Sequence, residues 1–302
     1  MQTVAVPVDH QAVGATGEPR SPSLRLRRLS TELRHSRQAA GYTAAKVAKE
    51  LGWSHPKVTK METTESKRIK PEDLDKLMDL YGIDDPERRD CMQALAKDAR
   101  VRGWWSRYKD AFKNESLPDF ETEASTLRTY ESQVIPGLLQ TPAYAEAIFR
   151  GGRYTNPQEI ERRAEARMGR RGILTRFNPV HLRAVIDESA FQRLISGREV
   201  LAAQLRHLLH MAQMPHIDIQ MLPLSKGAHS GLTAPFTILD FPNLLDSSIV
   251  CVETLSDALY LEEPDDVELY AATFGDVQAS AISAAETAEY ITEQISTLES
   301  TP

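Results

Sequence analysis

Cysteine is almost missing from this 302-residue chain: Cys91 and Cys251 are the two it has, and they stand far apart. Two isolated thiols build no disulfide framework, so a reducing, cytoplasmic compartment is expected. Both read as small buried hydrophobes. Long apolar runs are missing too. No stretch approaches the ~20 apolar residues a membrane helix needs, so no membrane partner is expected. The opening MQTVAVPVDHQAVGATGEPRSP holds no Lys or Arg before Arg20 and no apolar core, so it is not a secretory signal. Its Gly, Pro and small residues mark residues 1–22 as a disordered tail.

Signatures of catalysis are lacking as well. KGAHSG (226–231) reads as a turn between strands and carries no phosphate-loop pattern, and no nucleophile elbow occurs. Asp187 and Glu188 are adjacent, so on a strand they point to opposite faces and cannot work as a paired acid and base. His207 and His210, with His216 beyond them, lack the further ligand that a metal site requires. The sequence therefore predicts a protein that is not an enzyme, with no catalytic residue, no metal and no cofactor.

What is present is a lopsided charge. The net charge is −7, yet residues 20–70 hold 13 Lys/Arg against 4 Asp/Glu, a local balance of +9 that leaves −16 elsewhere. Attraction for phosphate follows the local field, so the basic segment is the informative part. Composition is ordinary for a soluble globular chain, at 41% hydrophobic and 26% charged. The length suggests about two domains.

Within the basic segment, Leu26, Leu29 and Leu33 recur at helical spacing up to Gly41. Thr43 can cap a second helix running to Leu51, and Ser54 a third running to Glu62. Pro71 opens a fourth, with Glu72 and Asp73 in its first turn and Gly82 near its end. Asp85-Pro86 begins a further helix that closes near Gly103. Residues 84–114, which include Trp104, Trp105, Tyr108 and Phe112, read as a connecting helix and aromatic stretch, either a packed junction or a binding surface.

The stretch TAAKVAKELGWSHPKVTKMET (43–63) has the spacing of a helix-turn-helix. Ala48 lets the second helix cross closely, Gly52 tolerates the turn, and Val58 anchors the second helix. Val47, Leu51 and Met61 complete the inward face. With Val58 and Met61 inward, Ser54, His55, Pro56, Thr59, Lys60 and Thr63 face outward, where the N-terminal end of the helix would enter a major groove. Lys60 can donate to guanine or serve a phosphate, and Thr59 can bond either base type. His55 is open between base and backbone contact. Lys57, Lys67, Arg68 and Lys70 suit phosphates better than bases.

Residues 24–83 resemble the Cro/Xre type of repressor domain, through Ala48–Gly52–Val58 followed by KME. The resemblance implies a lambda-repressor-like, mainly α domain over residues 23–83. It also implies a structural pair between Arg37 of the first helix and Glu62 at the end of the reading helix. That family often places Gln at the start of the first motif helix, as a phosphate contact. Here Ala44 and Ala45 stand in that region, which leaves the contact to Thr43 or Lys46, or leaves it out.

Beyond residue 115 strand patterns appear. Thr141-Pro142 and Asn156-Pro157 open helices, and a helix around 200–211 lies between strands near 180–186 and 217–221. FTILDF (236–241), IVCVET (249–254) and ALYLE (258–262) follow. Residues 115–302 are expected to form an α+β domain with a sheet of about five strands. Val277, Ala281, Ala284, Ala288, Ile291, Ile295 and Leu298 make a heptad-like seam. It fits a helix docked on its own sheet or one pairing across a dimer.

YESQVIPGLLQTPAYAEAI (130–148) resembles a region shared by actinobacterial Xre-type regulators with a C-terminal domain of unknown function, the WhiJ-like group. WWSRYKD (104–110), RRAEARMGRR (162–171), VIDESAF (185–191), IDIQMLPLSKGAHSG (217–231) and VETLSD (252–257) agree with it. The resemblance implies transcriptional control, often with a small partner protein encoded nearby. The expectation is a nucleoid-associated regulator that binds a double-stranded operator, as a homodimer on an inverted repeat. Its C-terminal domain would answer to a partner protein or a small-molecule ligand. The alternative is a protein-interaction module with DNA binding secondary. Residues 222–236 and the PGLLQTPAYA turn are candidate walls of a ligand pocket.

Overall fold

The computed structural model describes residues 22–63, 69–98, 104–108, 111–112, 116–152, 154–242, 247–254 and 257–300. The expected tail lies outside them apart from Pro22. The chain divides into two compact units between Ser106 and Arg107, inside the aromatic stretch. Among the described residues no helix is long and apolar enough to cross a membrane.

The first unit is helical: α1 (Pro22–Ala39), α2 (Ala44–Leu51), α3 (His55–Glu62), α4 (Pro71–Tyr81) and α5 (Pro86–Asp98). Leu29 and Leu33 of α1, Val47 and Ala48 of α2, Val58 and Met61 of α3 and Leu74, Leu77 and Met78 of α4 share one core. The stops are local chemistry. Gly52 has φ of +65° and ends α2, with its N–H donating to Lys49 O and the Trp53 N–H donating to Ala48 O at 2.8 Å. This paired closure leaves the next apolar residue, Trp53, folded back against the core.

The structure corrects the reading of α5 as a connector. Met92 and Ala96 are buried in the same core as Leu29. Arg88 bonds Glu32, Arg89 lies 2.8 Å from Asp79, and the Gln93 amide donates to Asp75 at 2.9 Å. An apolar stripe of so few residues among charges looks solvated in sequence, and the tertiary ion pairs make up the difference. α5 ends at Asp98; the proposed stop at Gly103 lies outside the described residues.

The second unit wraps helices around a mixed sheet. In chain order it contains α6 (Ser116–Glu123), β1 (Thr126–Glu131), α7 (Pro142–Gly151), α8 (Pro157–Arg170), β2 (His181–Asp187), α9 (Glu188–Gln192), α10 (Arg198–Met211), β3 (Ile217–Leu222), β4 (Phe236–Asp240), β5 (Ile249–Glu253), β6 (Ala258–Leu261), α11 (Pro264–Ser280) and α12 (Ala284–Ser300). The order across the sheet is β3-β2-β1-β4-β5-β6. β1, β2 and β3 run parallel, whereas β4, β5 and β6 join antiparallel. The sheet has six strands rather than five. The unexpected one, β1, is central, and its polar residues are satisfied across strands. Arg128 makes two bonds of 2.9 Å to Asp240, and the hydroxyls of Thr129 and Thr237 lie 2.9 Å apart.

Two further expectations change. Asp187 and Glu188 do not share a strand: Asp187 ends β2 and caps α9 by accepting from Ser189 N, while Glu188 accepts from Leu224 N at 2.9 Å. The heptad-like seam is broken, because α11 stops at Ser280 and α12 starts at Ala284. Ser283 and Glu286 form a capping box that begins α12, with Ser283 N donating to Glu286 Oε2 and Glu286 N to Ser283 Oγ. Val277 faces the sheet with Phe274 and Tyr130, and Ala284 is exposed. α12 packs on α10 and β3, burying Thr287 and Ile291.

Candidate nucleic-acid interface

The geometry of α2 and α3 follows from their buried faces. α2 buries Val47 and Ala48. Ala48 is the small residue a close helix crossing needs, and α3 meets it with Val58 and Met61. α3 is held from behind by a second device. Arg37 Nε donates to both Glu62 oxygens, at 2.8 and 3.0 Å, and Arg37 Nη1 donates to Tyr42 O at 2.7 Å. The two side chains are 13% and 6% exposed, so this pair is sheltered from water. The hydrogen bond to Glu62 raises the Arg37 pKa. Burial, reinforced by the Glu62 charge, raises that of Tyr81 nearby. The anchored end of α3 thus carries a fixed ion pair, and the free end points the other way.

The outward face of α3 and the turn before it hold most of the sequence-derived candidates. Ser54, His55, Lys60 and Thr63 are exposed, as is Pro56, and Thr59 is half-buried. Ser54 occupies the cap position, but its hydroxyl makes no capping bond. This corrects the expectation that it caps α3: Pro56 in the first turn pre-sets the helix instead, and the hydroxyl stays outward. Thr59 Oγ1 donates to His55 O at 3.3 Å and Thr63 Oγ1 to Thr59 O at 2.9 Å, so both hydroxyls keep lone pairs for an outside donor. Lys60 makes no ion pair among the described residues. Thr43 caps α2 by accepting from Lys46 N at 3.2 Å. Lys46 is exposed, with its Nζ 4.6 Å above the Tyr42 ring.

Lys57 departs from the group. Its Nζ is bound within the unit, by Asp73 of α4 and by the Trp53 ring. The sequence reading missed this, although Trp53 directly after the helix-ending Gly52 and an acid in the first turn of α4 were the available signals. Lys67 and Arg68 lie outside the described residues, and Lys70 is exposed at the start of α4.

Elsewhere His207 and His216 serve the fold, and His210 is exposed. His207 Nε2 lies 3.1 Å from Arg171 Nη2, and His216 Nε2 lies 2.8 Å from Leu174 O. Among the described residues no three His, Cys, Asp or Glu are grouped to hold a metal ion.

Comparison with known families adds two findings. Residues 28–90 match the model of a helix-turn-helix domain. Residues 115–293 match that of a domain of unknown function, DUF5753. No curated protein and no solved structure matches the chain.

Proposed function

Since the chain belongs to the DUF5753 family and carries a helix-turn-helix domain ahead of that region, we propose that it is an Xre-type regulator. It reads a specific double-stranded operator with the outward face of α3, and it is not an enzyme. One observation carries this reading. α3 is locked from behind by Val58, Met61 and the Arg37–Glu62 pair, while Ser54, His55 and Lys60 stand exposed on its other side. A rigid mount with a polar free face is what groove recognition requires. The positive end of the α3 dipole lies on the same side and favours phosphate.

An eight-residue helix buries little surface, so tight recognition calls for two copies on an inverted repeat, with half-sites about 34 Å apart. The DUF5753 region then supplies dimerisation and a response to a signal or a partner protein, and the regulator works in the cytoplasm on the nucleoid.

The test is a genome-wide footprint of the bound protein, followed by gel shifts on the recovered sites. Lys60→Ala should cost about 1–3 kcal/mol on the operator if Lys60 reads a base. Equal losses on operator and random DNA would demote Lys60 to a phosphate contact. A footprint without any common sequence would remove the specific-reader conclusion.

A further inference from the structure

The second unit contains a cavity of about 140 Å³ between the sheet and α8. At roughly 10–15 Å³ for each water-sized sphere, it holds a molecule of about ten non-hydrogen atoms.

Its walls carry opposite charges at separate places. Arg170 is neutralised internally, since its guanidinium makes two bonds to Glu121, at 2.9 and 2.6 Å. Arg167, one turn earlier on α8, is not. Its Nη1 donates to Gln140 Oε1 at 2.8 Å, and Gln140 is itself fixed by donating to Ile135 O at 2.7 Å. Among the described residues no carboxylate lies within ion-pair distance of Arg167, whose guanidinium bonds Gln140 through Nη1 and lies over the Phe149 ring, 4.4 Å from its centre. The edge of the guanidinium away from Gln140 is left for an anion.

The acidic side follows from strand register. Leu127, Thr129 and Glu131 alternate onto one face of β1. Thr129 stands opposite Thr237, and Thr237 opposite Cys251, so Glu253, two residues past Cys251, shares that face with Glu131. β4 separates their strands, which places the two backbones about 10 Å apart. Between them, continuing the register by one pair, comes Pro235, which offers no hydrogen-bond donor. Neither carboxylate is ion-paired among the described residues. Burial and repulsion from Glu253 push the Glu131 carboxyl up to about 8, and burial beside Arg170 brings Arg167 down to about 10. In both groups burial outweighs the attraction between Arg167 and the two carboxylates. Leu117, Val134 and Leu138 complete the lining with apolar surface.

We propose that this cavity binds a free α-amino acid with an aliphatic side chain. Its carboxylate lies on Arg167, its ammonium lies between Glu131 and Glu253, and its side chain lies on the leucine-lined wall. A zwitterion of this size answers the basic and the acidic wall at once, which neither a simple acid nor a simple amine does. The site lies wholly within the second unit, and its failure would leave the DNA-reading proposal untouched.

The experiment uses the full chain without DNA. Leucine, valine, isoleucine and methionine are each titrated by calorimetry, with 4-methylpentanoate (leucine without its amine) and 3-methylbutan-1-amine (leucine without its carboxylate) as comparison probes. At least one amino acid should bind saturably, and the leucine analogues should bind at least tenfold more weakly than leucine. Glu131→Gln and Arg167→Gln should each weaken binding at least tenfold, and Arg167→Lys should fall between the parent and Arg167→Gln. Melting curves identify any variant that does not fold, and the analogue series then decides on the parent protein alone. No binding by any of the four amino acids overturns the proposal. So does an analogue that binds as well as leucine, or binding that survives Glu131→Gln in a folded protein.

Discussion

Lys57 Nζ lies 2.9 Å from Asp73 Oδ1 and 3.7 Å from the centre of the Trp53 ring. A basic side chain of the reading helix is thereby tied to α4, although 36% of it remains exposed. Lys57→Ala is expected to lower stability by about 0.5–1 kcal/mol. The slope of log affinity against log salt should hardly move, because no phosphate contact is lost. A salt titration in which that slope falls by nearly one would return Lys57 to the phosphate-binding set.

The Arg37–Glu62 pair should behave as a sheltered ion pair. Removing one partner leaves the other charge buried, so Arg37→Ala should cost about 2–4 kcal/mol in urea unfolding. The double variant should cost clearly less than the sum of the singles. Strict additivity in that cycle would show that the two side chains do not support one another.

Gly52 provides a test of pure backbone strain. Its φ is +65°, and an added Cβ would meet no atom within 4 Å. Gly52→Ala should therefore cost about 1 kcal/mol through conformation alone, and Gly52→Asn less, since Asn tolerates the left-handed region. Thermal melts of the two variants separate these outcomes, and an unchanged melt for Gly52→Ala would refute the strain argument.

Glu131 should shape stability above neutral acid conditions. Its folded pKa of about 8 stands above the ordinary 4.5, so the folded state holds this proton longer than the unfolded chain. The associated stability is complete below about pH 4.5 and is lost as pH rises to about 8. Glu131→Gln stays neutral throughout. It should melt like the parent at pH 4.5 and higher than the parent at pH 8. Parallel melting profiles across that range would rule out the raised pKa.

His207 should act in the opposite direction. Burial, aided by Arg171 and His210, brings it from 6.5 down to about 4. Folding then favours the neutral ring, whose stability contribution is present above pH 6.5 and lost as pH falls toward 4. In His207→Gln the acid limb of the melting profile should flatten over that interval. If the variant loses stability with acid as steeply as the parent, the limb belongs to other groups.

The helix-turn-helix was legible because each of its markers answers a local steric demand. Ala48 admits a crossing helix, Gly52 takes a left-handed turn, and Val58 reaches the core; none needs a distant partner to be recognised. β1 was not legible, because Arg128 and Thr129 look solvated until Asp240 and Thr237 arrive from a strand far along the chain. The break before α12 was legible in Ser283 and Glu286, but the regular apolar spacing across it masked the capping box. α5 was misjudged for the reason that applies to β1, since its ion partners lie on α1 and α4. The cavity was legible only in part: Pro136, Gly137, Leu138 and Gln140 of the PGLLQTPAYA turn, with Pro235 and Phe236, do line it as expected, but its charged residues come from β1, β5 and α8, and only the strand register puts them on one face.

The central place of β1 has a consequence for biosynthesis. Thr237 follows Thr129 by 108 residues, so on the ribosome β1 emerges long before β4 can cover its second edge. Until then the parallel half of the sheet presents a row of open peptide groups to any neighbouring nascent chain. Messages truncated before residue 236 should yield a product that clumps, whereas the full-length product closes that edge itself.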